Sequence, residues 1–77
     1  MNDFNDHIEL NTAVMFGKPF IKGTRITVEN IIGELAAGYT MEYIIAAQPR
    51  IKKENIIAAL HYATAILKNE RIYLAAS

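Results

Sequence analysis

Arg50, Lys52 and Lys53 stand within four residues, and Asn55 follows two positions later. Three cations this close suit phosphate oxygens, and an Asn side chain carries the donor and acceptor that read adenine in the major groove. The grouping falls between two stretches of helical periodicity, where a helix-turn-helix unit presents the head of its recognition helix. The same three cations also fit an ordinary solvated rim, since the helix that follows them is not basic. The segment Gly17-Lys18-Pro19-Phe20-Ile21-Lys22-Gly23-Thr24-Arg25 combines glycines with three cations and invites comparison with a phosphate cradle. It departs from the phosphate-loop pattern, in which Lys and Ser/Thr directly follow the second glycine and a helix begins there. A pair of tight turns tied together by Arg25 is the better expectation.

Catalytic chemistry finds no constellation. His7 and His61 are the only imidazoles, and neither has a His or Glu partner at metal-ligating spacing. Cysteine is absent, which removes thiol nucleophiles, disulfides and Cys-based zinc sites. Glu29, Glu34 and Glu42 do not assemble with a nucleophile and an orienting group. The sequence predicts a protein that is not an enzyme and uses no cofactor or metal.

The elements that position these residues follow from periodicity. Residues 8–28 read as short strands and turns: Ile8 and Leu10 flank Glu9, Val14 and Phe16 flank Met15, and Phe20-Ile21 and Ile26-Thr27-Val28 add β-formers. From Thr27 the period changes to 3.6. Val28, Ile31, Ile32 and Leu35 mark a first helix of about ten residues, with Thr27 as N-cap and Gly38 as the glycine beyond its end. Thr40 caps a second helix carrying Met41, Ile44 and Ile45, and Pro49 ends it near Ala47. A third helix starts near Lys53 and runs past Lys68. Centring its core face on Leu60 brings in Ile56, Ala63, Leu67 and Leu74. The opposite side, with Asn55, Ala58, Tyr62, Ala65, Ile66 and Tyr73, is also apolar and is expected to pack on another chain. Alternatively, Tyr62 and Ile66 fold under the N-terminal strands of the same chain.

Length and composition set the frame. Seventy-seven residues, 52% of them hydrophobic, make one domain over 1–77: a β/turn segment (7–28), a three-helix unit (28–68), and a tail or helix extension (69–77). A core this small supplies only a few kcal/mol, roughly, so a homodimer or higher homo-oligomer is expected. No apolar run approaches bilayer length and the start is acidic, which predicts a cytoplasmic protein with no membrane partner. Eight basic residues balance eight acidic ones. The basic ones concentrate in 18–25 and 50–53, two segments that contain no acid.

The string Gly17-Lys18-Pro19-Phe20-Ile21-Lys22-Gly23-Thr24-Arg25-Ile26-Thr27-Val28 resembles the bacterial family known as domain of unknown function 433. The likeness continues through Gly38, Thr40 and Glu42, then Pro49 and Ile51, and into Ala59-Leu60-His61-Tyr62-Ala63. Gly17, Lys18, Pro19, Gly23, Thr24 and Arg25 match the family motif, to which the resemblance assigns no chemistry. There are departures. Phe16 stands where a second glycine is common, Gln48 replaces an aromatic, and Lys52 takes the usual Thr/Ser cap of the third helix, a loss of about 1 kcal/mol.

The resemblance implies a mainly α fold, a homeodomain-like three-helix bundle with a small N-terminal β element. Some relatives are antitoxins paired with PIN-domain ribonucleases, so the chain is similar to a VapB-type antitoxin. The expectation is a dimer that binds its own promoter, double-stranded DNA, through Arg50, Lys52, Lys53 and Asn55. Tyr62, Ile66 and Tyr73 would form its interface, and Arg71, Tyr73 and Leu74 would meet a PIN-domain toxin. The alternative is a protein-interaction module of the same shape that does not bind nucleic acid.

Overall fold

The computed structural model describes the backbone of residues 6–76 and the side chains of residues 6–68. Strands β1 (Ile8–Glu9) and β2 (Phe20–Ile21) are antiparallel, pairing Ile8 with Ile21 and Glu9 with Phe20. A bridge from Phe20 to Thr27 extends this small sheet. Helices α1 (Val28–Ala36), α2 (Met41–Ala47) and α3 (Lys53–Ala76) follow. The fold is mainly α, with α2, a turn over 48–52, and α3 in helix-turn-helix order.

The helix ends are where local chemistry puts them. Thr27 and Thr40 accept hydrogen bonds from the backbone N–H of Asn30 and Tyr43, each at 3.0 Å, satisfying donors that the first turn leaves open. Beyond α1, Gly38 has φ +100°, its N–H reaches the Leu35 carbonyl, and that of Tyr39 reaches the Glu34 carbonyl. This double bond pattern needs a left-handed residue, which glycine supplies without steric cost. Gln48 leaves the helical region before Pro49, at φ −133° and ψ 87°, since the proline ring disfavours helical geometry there. The region 69–76 continues α3 as a helix.

Two expectations are corrected. Val14–Phe16 is not a strand: Met15 and Phe16 take φ +54° and +58°, and with Gly17 they form a left-handed turn that leaves Phe16 97% exposed. The reason is the return of the chain from β1 to β2, a reversal in a region where a non-glycine residue costs about 1–2 kcal/mol. Glycine would fit better at Phe16, in keeping with the glycine common at that position of the motif, and nothing in the structure explains the Phe.

The second correction concerns α3. Leu60 is not the centre of the buried face; it is 37% exposed and Leu67 is 63% exposed. The buried residues of α3 are Ile56, Ala58 and Ala59, with Tyr62 half-buried against them. Five isoleucines, Ile21, Ile31, Ile44, Ile51 and Ile56, already fill the core, and the helix adds the small Ala58 and Ala59 to the same cluster. Apolar residues surround α3 on every side, and periodicity alone therefore selects no face.

Candidate nucleic-acid interface

Ile51 anchors the turn between α2 and α3. It is fully buried, and its N–H donates to the Gln48 carbonyl at 2.8 Å. Its neighbours Arg50 and Lys52 are consequently turned outward, and Lys53 is exposed beside them. All three cations are exposed at the head of α3.

Asn55 behaves differently. Its Oδ1 accepts the Lys52 N–H at 2.8 Å, and its Nδ2 lies 3.1 Å from His7 Nδ1. The first bond is the return half of a capping box: it satisfies the Lys52 N–H, although no side-chain acceptor stands at Lys52 for the first-turn donors. The second ties α3 to the chain just before β1. Both ends of the amide are committed inside the molecule, in a half-buried position. Adenine reading by Asn55 is therefore not what this geometry favours, since it would require breaking both contacts.

The Gly17–Arg25 segment is fixed mainly by Thr24. Its hydroxyl donates to the Ile21 carbonyl at 2.9 Å and accepts the Ile26 N–H at 3.0 Å, closing a turn in which Gly23 has φ +80°. Pro19 accepts the Val28 N–H through its carbonyl, and Lys18 Nζ pairs with Glu29 at 2.9 Å. Arg25 is exposed and does not tie the turns together. That role falls to Arg50, whose Nη1 donates to the Gly23 carbonyl at 3.2 Å. Local sequence offers no sign of a contact spanning 27 positions, and only the docking of the α3 head on the small sheet creates it.

The residues expected at an interface are split. Tyr62 is half-buried against the core of its own chain and lines a groove with residues of α1. Ile66 is 40% exposed. Tyr73, together with Arg71 and Leu74, lies outside the residues whose side chains are described. The surplus apolar surface of α3 is instead Ile57, Leu60, Ile66 and Leu67. Ile66 and Leu67 border a groove of about 500 Å³ between α3 and α1, closed on the other side by Val28 and Ile32. An exposed aromatic pair that periodicity did not flag, Tyr39 and Tyr43, stacks at 4.7 Å between ring centroids at the corner joining α1 to α2.

Among the described residues no group of three or more His, Asp or Glu side chains is placed to hold a metal ion. No helix among them is long and apolar enough to cross a membrane.

Comparison with known proteins gives a family and little chemistry. A relative in Sinorhizobium fredii (strain NBRC 101917 / NGR234), "Uncharacterized protein y4eO", is 35% identical over 52 residues. The match covers 68% of this chain but 24% of that protein, so the chain spans about a quarter of the length of the relative it matches. No solved structure matches the chain. The family model "Protein of unknown function (DUF433)" matches residues 8–63, from β1 through the buried half of α3. Those residues include every element that builds the core and the cationic turn, and the chain belongs to the DUF433 family.

Proposed function

We propose that this protein binds double-stranded DNA as a dimer and carries a protein partner, in the manner of an antitoxin that represses its own promoter. The observation that supports this most is the outward display of Arg50, Lys52 and Lys53 around the buried Ile51, at the head of the longest helix. Cations held there meet phosphates when the helix enters a major groove. Asn55 acts in this reading as the capping-box partner of the Lys52 N–H, not as a base contact. Three phosphate contacts per protomer give weak binding alone and usable binding when two protomers act together. The exposed Ile57, Leu60, Ile66 and Leu67 supply apolar surface for the second protomer. A PIN-domain nuclease as the neutralised partner rests on the resemblance of the Gly17–Val28 motif to antitoxin-containing relatives.

The test is a titration of the pure protein with its own upstream DNA at about 50 mM salt and above, where phosphate contacts give a steep salt dependence. Salt-dependent binding that is lost in Lys52→Glu/Lys53→Glu, with the oligomer intact by light scattering, is the expected result. Absence of any shift at low salt removes the DNA role, and a monomer at micromolar concentration removes the dimer. Co-expression with a PIN-domain nuclease encoded beside the gene tests the partner, with inhibition of its ribonuclease activity expected.

A second reading has its own observation. The apolar groove between α1 and α3 suits a protein-interaction module that leaves nucleic acid alone. Unchanged function after the double charge reversal favours it.

A further inference from the structure

The two basic segments are far apart in the chain and adjacent in the fold. The Arg50 guanidinium donates to the Gly23 carbonyl at 3.2 Å, in the middle of the turn that carries Lys22 and Arg25. The Lys22 N–H donates to the His7 carbonyl at 2.8 Å, the His7 ring meets Asn55 at 3.1 Å, and Asn55 accepts the Lys52 N–H at 2.8 Å. These contacts stitch the 22–25 turn to the head of α3. Lys22, Arg25, Arg50, Lys52 and Lys53 are all exposed along this seam.

The third cation of the Gly17–Arg25 segment is excluded from the group. Lys18 is paired with Glu29 on α1. Three acids lie near the five cations: Asp6, exposed next to His7, Glu9, which lines a cleft with Arg25 and Arg50, and Glu54, in the first turn of α3. The balance remains positive, in a chain whose overall charge is zero. Lys22 and Arg25 have no hydrogen-bonded or ion-paired side-chain partner among the described residues, so their charge is not consumed in holding the fold.

We infer that the Lys22–Arg25 turn is a second phosphate-contacting element, which grips the DNA backbone beside the groove that receives the head of α3. The inference rests on the DNA-binding reading above and adds two contacts per protomer to the three already assigned. Hydrogen bonding of Arg50 to Gly23 fixes the spacing of the two elements, so that both meet one duplex without reordering. The two elements are joined by hydrogen bonds, which suits a regular duplex better than a splayed single strand; the His7 ring in the seam is half-buried and bonded to Asn55, not open for stacking on bases.

The experiment measures binding of a short duplex, the protein's own upstream DNA, as a function of salt for the full chain. Each phosphate contact contributes about 0.9 to the slope of log affinity against log salt. Lys22→Ala/Arg25→Ala is expected to lower the slope by about 1.8 per protomer. Arg25→Lys, which keeps the charge, is expected to retain the slope. Lys18→Ala serves as the control outside the patch and leaves it unchanged. Far-ultraviolet circular dichroism and thermal melting establish that each variant is folded, and Lys22→Gln alone, at half the expected effect, stands in if the double variant is not. A wild-type chain that binds with a slope unaffected by Lys22 and Arg25 overturns the inference while leaving the DNA reading in place. A wild-type chain that does not bind the duplex overturns both. Tighter binding to a single-stranded RNA of equal length than to the duplex overturns the assignment to duplex DNA.

Discussion

The two flanks of α3 are built on opposite principles. Towards its head, the helix meets the small sheet through directed polar contacts: Asn55 with His7, Arg50 with Gly23, and the Thr24 hydroxyl closing the turn between them. Further along, Tyr62, Ala63, Ile66 and Leu67 face Val28 and Ile32 of α1 across an apolar groove. Hydrogen bonds fix direction and spacing but contribute about 1 kcal/mol each, whereas burial of apolar area is stronger and sets no angle. The difference teaches how one helix divides its surface: the exposed cations lie where hydrogen bonds hold the backbone in place, and the apolar groove lies at the other flank.

Both flanks depend on the same isoleucine core, and the largest perturbation abolishes the contrast. Ile31, fully buried in α1, is expected to cost about 2–5 kcal/mol when replaced by Ala. In a domain of this size that leaves little or no folded protein, as urea or thermal unfolding will register. The second perturbation sharpens the contrast by testing the face of α3. Ala59→Leu, which overfills a fully buried position, is expected to destabilise by about 1–3 kcal/mol, while Leu60→Ala, on the half-open side, loses less than about 1 kcal/mol. The reverse order in matched melts would restore Leu60 to the centre of the core.

The seam itself is probed by Asn55→Ala, which removes the capping-box bond to the Lys52 N–H and the His7 contact together. A loss of about 1–2 kcal/mol is expected, with faster amide exchange in the first turn of α3 as a local signature. Equal stability would mean that the head of α3 is held by apolar contact alone. At Phe16 the sign is opposite. Replacement by Gly relieves a left-handed residue whose side chain contacts almost nothing, and is expected to stabilise by up to about 1 kcal/mol, the larger freedom of unfolded glycine offsetting part of the gain. The smallest effect belongs to Lys18→Ala, because its pair with Glu29 is 55% and 72% exposed and such pairs contribute under about 1 kcal/mol. A larger loss would place Lys18 within the seam.

Much of the scaffold was legible one residue at a time. Thr27, Thr40, Gly38 and Pro49 each satisfy or interrupt a backbone bond within a few positions, and their helix boundaries follow from that short reach. The orientation of α3 was not legible, because a helix apolar all round offers no moment to read, and the large Leu60 outweighed Ala59 until the isoleucines of four other segments occupied the space. The candidate surface divided in the same way. The exposure of Arg50, Lys52 and Lys53 was inferable from a turn pinned by one apolar residue, but the second role of Arg50 was not. The use of Asn55 in a capping box had a sequence signal in its position three residues after Lys52, which its base-reading chemistry obscured.

By itself the sequence determined the mainly α class, the three helices, their caps, membership in a family recognised by Gly17–Val28, and two basic segments in a neutral chain. These depend on interactions over a few positions, or on composition, and need no knowledge of what packs where. Tertiary structure decided which face of α3 is inside, that Tyr62 packs with the core, and that the turn carrying Lys22 and Arg25 is bonded to Arg50. The contact that joins those cations spans 27 positions, and its partners approach only once the core between them is complete.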